Sequence, residues 1–161
     1  MAVQQMDPRF NPYVEGLHVK LQALISMEPV TPLSLPSGMF KQGVYLLSEG
    51  AQHFYVGRSN HLKKRLSAHC RQDSTHRSAA LAFRLAREAT GNVKATYKKG
   101  EGSRAALVLD PTFLEEFREA KRKIGRMNLR FVEETDPTKQ ALLEIYVSVV
   151  LGTPHNDFDN H

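Results

Sequence analysis

The chain reads GVYLLSEG at residues 43–50, HFYVGRSN at residues 53–60 and HLKKRLSAHC at residues 61–70. The first two segments are rich in β-branched and aromatic residues and are separated by a Glu-Gly turn, so they predict an antiparallel hairpin. The third segment predicts a helix that begins near Ser59 or Asn60, because both are good N-cap residues, and ends near Arg71. Hairpin and basic helix together decide the fold.

The register of this hairpin stays open at the level of sequence. A loop with an odd number of residues centred on Gly50 would place Tyr45 opposite Tyr55, with both phenols on one face of the sheet. A loop with an even number of residues would separate the two tyrosines.

The helix after the hairpin carries cations on two faces. Arg65 and His69 lie one turn apart beside the apolar stripe, whereas Lys63 and Lys64 point away from it. Residues 58–104 contain 12 Lys or Arg against three Asp or Glu, and the rest of the chain contains 10 against 14. This segregation indicates a surface that faces a polyanion such as nucleic acid. The alternative is that these charges only solvate the outer faces of two helices.

The other elements follow from periodicity and from start and stop signals. An apolar period predicts an amphipathic helix over residues 13–27, which a proline-rich linker ends. The remaining predictions are a third strand over residues 127–133 and helices over 78–90, 111–124 and 137–151, the last two opened by Asp-Pro. The expected class is α+β: a small three-stranded antiparallel sheet flanked by helices. An N-terminal helical arm and linker at residues 1–39 would precede a domain at residues 40–161.

Bulk composition fits one globular domain. The chain has 161 residues, of which 41% are hydrophobic and 24% charged, so it can bury a real core. Its longest apolar stretch, residues 141–151, is too short to cross a bilayer, and we expect no membrane association. A single cysteine, Cys70, excludes an internal disulfide, and the N-terminus lacks a secretory signal. We therefore expect a cytoplasmic protein.

Glu144 is the carboxylate best suited to a chemical role. It lies in an almost uninterrupted apolar run, where an unpaired charge would be costly. One carboxylate can hold Mg²⁺ together with waters and phosphate oxygens, which favours one-metal phosphodiester hydrolysis. The alternative is that Gln140, Glu144 and Ser148 form the one solvated stripe of their helix. A second candidate metal site consists of His155, Asp157, Asp159 and His161.

The tripeptides at residues 43–45 and 55–57 resemble the two signature tripeptides of the GIY-YIG nuclease family, with valine at both middle positions. The resemblance covers residues 40–161 and includes an insertion at residues 72–126. That insertion is a candidate for substrate recognition.

The resemblance implies a role for each matching residue. Tyr45 would orient or deprotonate the attacking water, with His69 as the alternative base, and Tyr55 would help to place the nucleophile and the phosphate. Arg65 would bind the scissile phosphate, and Glu144 would hold one Mg²⁺ or Mn²⁺ ion. Asn156 would close the site, and Arg58 falls where relatives often carry Lys. Beside the resemblance, Arg58, Lys63 and Lys64 are further candidates for phosphate binding.

As a whole, the resemblance implies a metal-dependent endonuclease that cuts double-stranded or branched DNA. The alternative is a non-catalytic nucleic-acid-binding module with the same fold, which would bind in a salt-sensitive way without cleavage. Specificity would come from the N-terminal arm, the insertion, a homodimer partner or another protein. The choice of target, and a role in restriction, repair or mobile elements, stays open.

Overall fold

The structure, a computed structural model, describes residues 5–92 and 103–158. Three strands form one antiparallel sheet in the order β2-β1-β3, flanked by helices. This confirms the α+β class predicted from the sequence. No helix in the described ranges is long and apolar enough to cross a membrane. In chain order the elements are α1 (Asn11–Val14), α2 (Leu17–Ser26), β1 (Gly43–Glu49), β2 (Gln52–Ser59), α3 (Leu62–Cys70), α4 (Ala80–Ala89), α5 (Arg104–Leu107), α6 (Pro111–Gly125), β3 (Asn128–Glu133) and α7 (Pro137–Leu151).

The chain divides into two compact units. The segment predicted to be an insertion, residues 72–126, belongs to unit 2. The predicted boundary after residue 39, between an arm and the main domain, stays a prediction. Unit 1 consists of Met1–Val30, Pro36–Leu62 and Asn128–His161, and unit 2 of Thr31–Leu35 and Lys63–Met127.

The core of unit 1 lies on one face of the sheet and joins α2, β1, β2 and α7. The helix predicted over residues 13–27 is in fact two short helices. The helix is interrupted at Glu15 and Gly16, because glycine is a poor helix former. The second of these helices contributes to the core. Seven buried side chains form this core: Leu21, Leu24, Val44, Leu46, Val56, Leu143 and Val147.

The hairpin has an even loop, yet both tyrosines lie on one face. Glu49 pairs with Gln52, which leaves a two-residue loop. The register then shifts between Leu47 and Ser48, because Phe54 is an extra residue that forms a β-bulge in β2. The expectation that an even loop would separate the tyrosines is therefore wrong, since the extra residue in β2 returns the side chain of Tyr55 to the face of the sheet that carries Tyr45.

The resulting register differs by two residues from direct opposition of the tyrosines. Tyr45 pairs with Gly57, and Leu47 pairs with Tyr55. Side chains alternate along a strand, so Tyr45 and Tyr55 project from the same face and lie diagonally to one another. Val56 and its neighbours in the core project from the opposite face.

Start and stop signals of the later helices are confirmed. The carboxylate of Asp110 accepts hydrogen bonds from two N–H groups in the first turn of α6, and Asp136 accepts one from Lys139 at the start of α7. Gly152 ends α7 in the left-handed conformation, with φ of 64°. These caps fix the length of α7, the helix that carries Glu144.

Unit 2 is built around three phenylalanines. The ring of Phe83 on α4 lies 5.1 Å from that of Phe113 and 5.9 Å from that of Phe117, both on α6. Lys121, 2% exposed, places its ammonium 4.1 Å from the Phe117 ring centre and donates hydrogen bonds to backbone carbonyls in the turn after α3. This buried cation therefore fixes residues 72–74 against α6.

Candidate active site

Two phenol rings face each other across the β1–β2 pair. The ring centres of Tyr45 and Tyr55 lie 6.2 Å apart, with a tilt of 51° between the rings. Tyr45 is fully buried, whereas Tyr55 is half-buried. A Cβ atom on Gly57 would collide with Cζ and the hydroxyl of Tyr45. The close approach of this ring explains why the second tripeptide ends in glycine.

Replacing Gly57 with alanine is expected to destabilise the protein by about 1–3 kcal/mol, because the added methyl group overpacks the site against Tyr45. Gly38→Ala is the matched control, since a Cβ on Gly38 would meet no atom within 4 Å. Urea unfolding of both variants would measure the difference. Equal free energies of unfolding for the two variants would contradict the contact between Gly57 and Tyr45.

The polar stripe of α7 points into unit 1 rather than to solvent. Gln140 is 1% exposed, Ser148 is 6% exposed, and the side chain of Glu144 is 20% exposed. The residues on the outer face are apolar: Ile145 is 45% exposed and Val149 73%. The interpretation of the three polar residues as a solvated stripe is therefore wrong.

Each polar residue of this stripe has a hydrogen-bonding partner within unit 1, which explains its burial. Gln140 Nε2 donates to Asn60 Oδ1 (3.1 Å) and to the carbonyl of Glu134 (2.7 Å). The hydroxyls of Ser148 and Thr153 are 2.8 Å apart. Burial of the stripe thus depends on groups from the loops around α7.

Glu144 meets Arg58 of β2. Arg58 pairs with Val44, whose side chain belongs to the core beside α7, so the guanidinium projects toward that helix and away from the face of the sheet that carries Tyr45 and Tyr55. Arg58 Nε donates to Glu144 Oε2 at 3.0 Å, with 44% of the arginine side chain exposed. An ion pair this exposed stabilises the fold by only about 0.2–1 kcal/mol, so its main effect is to orient the carboxylate.

Asn156 holds the outer edge of β2. Its Oδ1 accepts from the N–H of Val56 and its Nδ2 donates to the carbonyl of the same residue, both at 2.8 Å. Thr153 Oγ1 donates to Asn156 Oδ1 at 2.8 Å, which extends the chain of hydrogen bonds from Ser148. Because β2 is an edge strand, this side chain satisfies backbone groups that no strand covers. Asn156 therefore positions the strand that carries Tyr55.

The change Asn156→Asp keeps the acceptor to Val56 but replaces the donor to the Val56 carbonyl with an oxygen. We expect a loss of about 1–3 kcal/mol in the free energy of unfolding, the usual effect of leaving a partly buried polar group unsatisfied. The control is Asn128→Asp in β3, which makes the same chemical change in the same unit. Equal urea midpoints for the two variants would show that the Asn156 amide does not hold β2.

Arg65 and His69 lie in unit 2. Arg65 is half-buried and its Nη1 donates to the carbonyl of Ser78 at 3.3 Å. His69 is fully buried, and this burial, with a smaller contribution from the Arg65 charge, lowers its pKa to about 3. His69 is therefore neutral near pH 7. Lys63 and Lys64, in contrast, are exposed.

Residues 41–148 of the chain match the family model of the GIY-YIG catalytic domain. The chain belongs to the GIY-YIG family. This is a nuclease-type family with nucleic acid as its substrate, and its members generally depend on a divalent metal ion. Neither the curated proteins nor the solved structures include a match to this chain.

The matched range of this GIY-YIG protein contains both tripeptides, Arg58, Arg65 and Glu144, whereas Asn156 lies beyond its end. The resemblance implied a place in the site for Asn156 but not its contact with Val56. Thr153 and the bulged Phe54 were not predicted as site residues. Phe54 supports the C-terminal segment: its ring centre lies 4.0 Å from that of His155.

Within the described ranges the available ligands fit a metal ion that is held by one carboxylate and by water molecules. No three His, Cys, Asp or Glu side chains come together there as a metal site. Two residues of the second candidate site, Asp159 and His161, lie outside the described residues, so that site stays a prediction. Glu144 fits an ion such as Mg²⁺ that keeps several waters, and a carboxylate with about four lone-pair sites is not saturated by one bond from Arg58.

Proposed function

We propose that this GIY-YIG protein is a metal-dependent endonuclease that hydrolyses phosphodiester bonds in double-stranded or branched DNA. The observation that carries the proposal is Glu144: a carboxylate on an apolar helix, turned into unit 1 and oriented by Arg58. A binding protein has no need of an inward carboxylate, which repels phosphate. A metal ligand needs both the charge and a fixed direction.

In this proposal each residue of the set has a separate task, and the two tyrosines act from the face of the sheet opposite to Arg58 and Glu144. Tyr55 has the accessible phenol and places the attacking water and the phosphate, while Tyr45 orients the water through its hydroxyl. Arg58 and Arg65 neutralise phosphate charge, and exposed Lys63 and Lys64 bind the flanking backbone. Glu144 would hold one Mg²⁺ or Mn²⁺ ion, which would supply charge neutralisation and a more acidic bound water.

A non-catalytic nucleic-acid-binding module is the second candidate, and one observation favours it. Tyr45 and His69, the two candidate bases, are both fully buried. A base must reach the proton that it removes, directly or through one water. In the first proposal the half-buried Tyr55 would make up for this, together with a water whose acidity a metal ion would raise, whereas a binding module has no need of an accessible base.

A cleavage assay would separate the two candidates. Purified protein would be incubated with supercoiled, linear and branched DNA and with RNA, each with Mg²⁺, with Mn²⁺ and with EDTA. The nuclease proposal expects nicking or cutting of at least one DNA substrate with metal and none with EDTA. Salt-sensitive binding without cleavage of any substrate would instead support the binding module.

A further inference from the structure

A fixed turn of unit 2 presents two basic residues before α4. Thr75 and Ser78 close this turn: Ser78 N–H donates to the Thr75 carbonyl (3.1 Å), and Thr75 N–H donates to Ser78 Oγ (3.0 Å). His76 and Arg77 are the two central residues, and Arg77 is exposed. Buried Lys121 holds the backbone just before the turn. The two side chains therefore project from a rigid support.

Arg104, at the start of α5, lies near the same aromatic ring as His76. Its guanidinium carbon lies 5.5 Å from the ring centre of Phe83, and the ring centre of His76 lies 5.9 Å from the same ring. The pKa of His76 is lowered first by burial and then by the charges of Arg77 and Arg104. Both guanidinium groups thus act on one imidazole. We call His76, Arg77 and Arg104 the turn cluster.

The turn cluster has no carboxylate counterion within the described residues. Two arginines at the C-terminal end of α6 differ: Arg122 and the C-cap Arg126 both pair with Glu119, at 2.8 and 3.5 Å. The exposed face of α6 therefore neutralises part of its own positive charge. Like charges held together without counterions are unfavourable in the free protein and are typical of a surface that binds an anion.

The end of α4 beside the turn cluster adds to the positive potential. No side chain caps the first turn of α4, and the N–H groups at a helix N-terminus carry partial positive charge. Arg65 reaches the same turn, because its Nη1 donates to the carbonyl of Ser78 at 3.3 Å. The turn that carries the cluster is therefore in direct contact with the guanidinium of Arg65.

We propose that His76, Arg77 and Arg104 bind a backbone phosphate that flanks the one bound by Arg65, so that the insertion extends the contact with nucleic acid. Guanidinium groups suit this task because they form paired hydrogen bonds with phosphate oxygens and keep their charge. The inference rests on the proposed nuclease function, since it assumes that the polyanion is the substrate.

The test compares two double variants with equal loss of charge. Arg77→Gln with Arg104→Gln removes two cations of the turn cluster, and Arg122→Gln with Arg126→Gln removes two paired cations of α6. Binding to a short DNA duplex would be measured by fluorescence anisotropy in EDTA from about 50 to about 200 mM salt. The salt slope is the slope of the logarithm of the binding constant against the logarithm of the salt concentration. For the turn-cluster variant we expect its magnitude to fall by about 1.8 and the affinity to fall by at least about tenfold. The α6 variant should bind much as the wild type does.

The outcomes separate this inference from the proposed function. If the wild type neither binds nor cuts nucleic acid, the function itself fails. If the wild type binds and cuts, and the two double variants bind equally well, only the turn-cluster inference is wrong. The single variant Arg77→Gln is a second test that does not depend on the folding of the double variant, because Arg77 is exposed. It should lower the magnitude of the salt slope by about 0.9. Arginine-dependent binding of poly-glutamate, with DNA binding unchanged, would assign the cluster to an acidic protein partner instead.

Discussion

The variant Glu144→Gln is expected to lose at least about 100-fold in DNA cleavage with Mg²⁺. Removing a group that only hydrogen-bonds a metal ligand already costs about 10- to 100-fold, so removing the ligand itself should cost more. The glutamine amide oxygen can still accept the hydrogen bond from Arg58, so the fold should persist. Initial rates of nicking on the substrate that the wild type cuts best would measure the loss.

The control for this experiment is Glu133→Gln. Glu133 is an exposed carboxylate at the end of β3 in the same unit, so its loss changes net charge equally without touching α7. DNA binding in EDTA should be retained in Glu144→Gln, or should strengthen slightly, because a negative charge is lost. Undiminished cleavage by Glu144→Gln, or cleavage by the wild type in EDTA, would exclude Glu144 as the ligand of an essential metal ion.

Local signals in the sequence were sufficient for most of the fold. Asp110 and Asp136 are helix caps because Asp before Pro satisfies the first N–H groups of the helix. This signal lies within four residues of sequence and can be recognised without the tertiary structure. Enrichment in β-branched and aromatic residues likewise located the two strands of the hairpin. Gly16 could have warned that the N-terminal helix would break, since glycine is the poorest ordinary helix former.

Two features of the site depend on tertiary contacts that periodicity cannot reveal. The bulge at Phe54 sets the faces of Tyr45 and Tyr55, and its position is fixed by packing against His155, about 100 residues later in the chain. The polar face of α7 would normally be the solvated one. It is buried because Arg58 and Asn60 offer it partners, which lie 86 and 80 residues before the residues of α7 that they contact.

His69 is expected to make the protein sensitive to acid. Its pKa is about 3 in the folded state and 6.5 in the unfolded reference. Between these values the unfolded chain binds a proton that the folded protein excludes, so stability falls as the pH falls. The slope is about 1.4 kcal/mol per pH unit from this residue alone, and the full range amounts to roughly 5 kcal/mol. Above about pH 6.5 the residue is neutral in both states and contributes no pH dependence.

Urea unfolding of the wild type and of His69→Gln at a series of pH values from about 7.5 to about 5 would measure this contribution. The His69→Gln variant is expected to be less stable at every pH because the buried site is reshaped. The informative quantity is therefore the slope of the unfolding free energy against pH rather than its value. The slope of His69→Gln should be shallower than that of the wild type by about 1.4 kcal/mol per pH unit below pH 6. His61→Gln, at an exposed position just before α3, is the control for the loss of an imidazole. Parallel curves for the wild type and His69→Gln would mean that the imidazole takes up its proton in the folded state, and hence that water reaches His69.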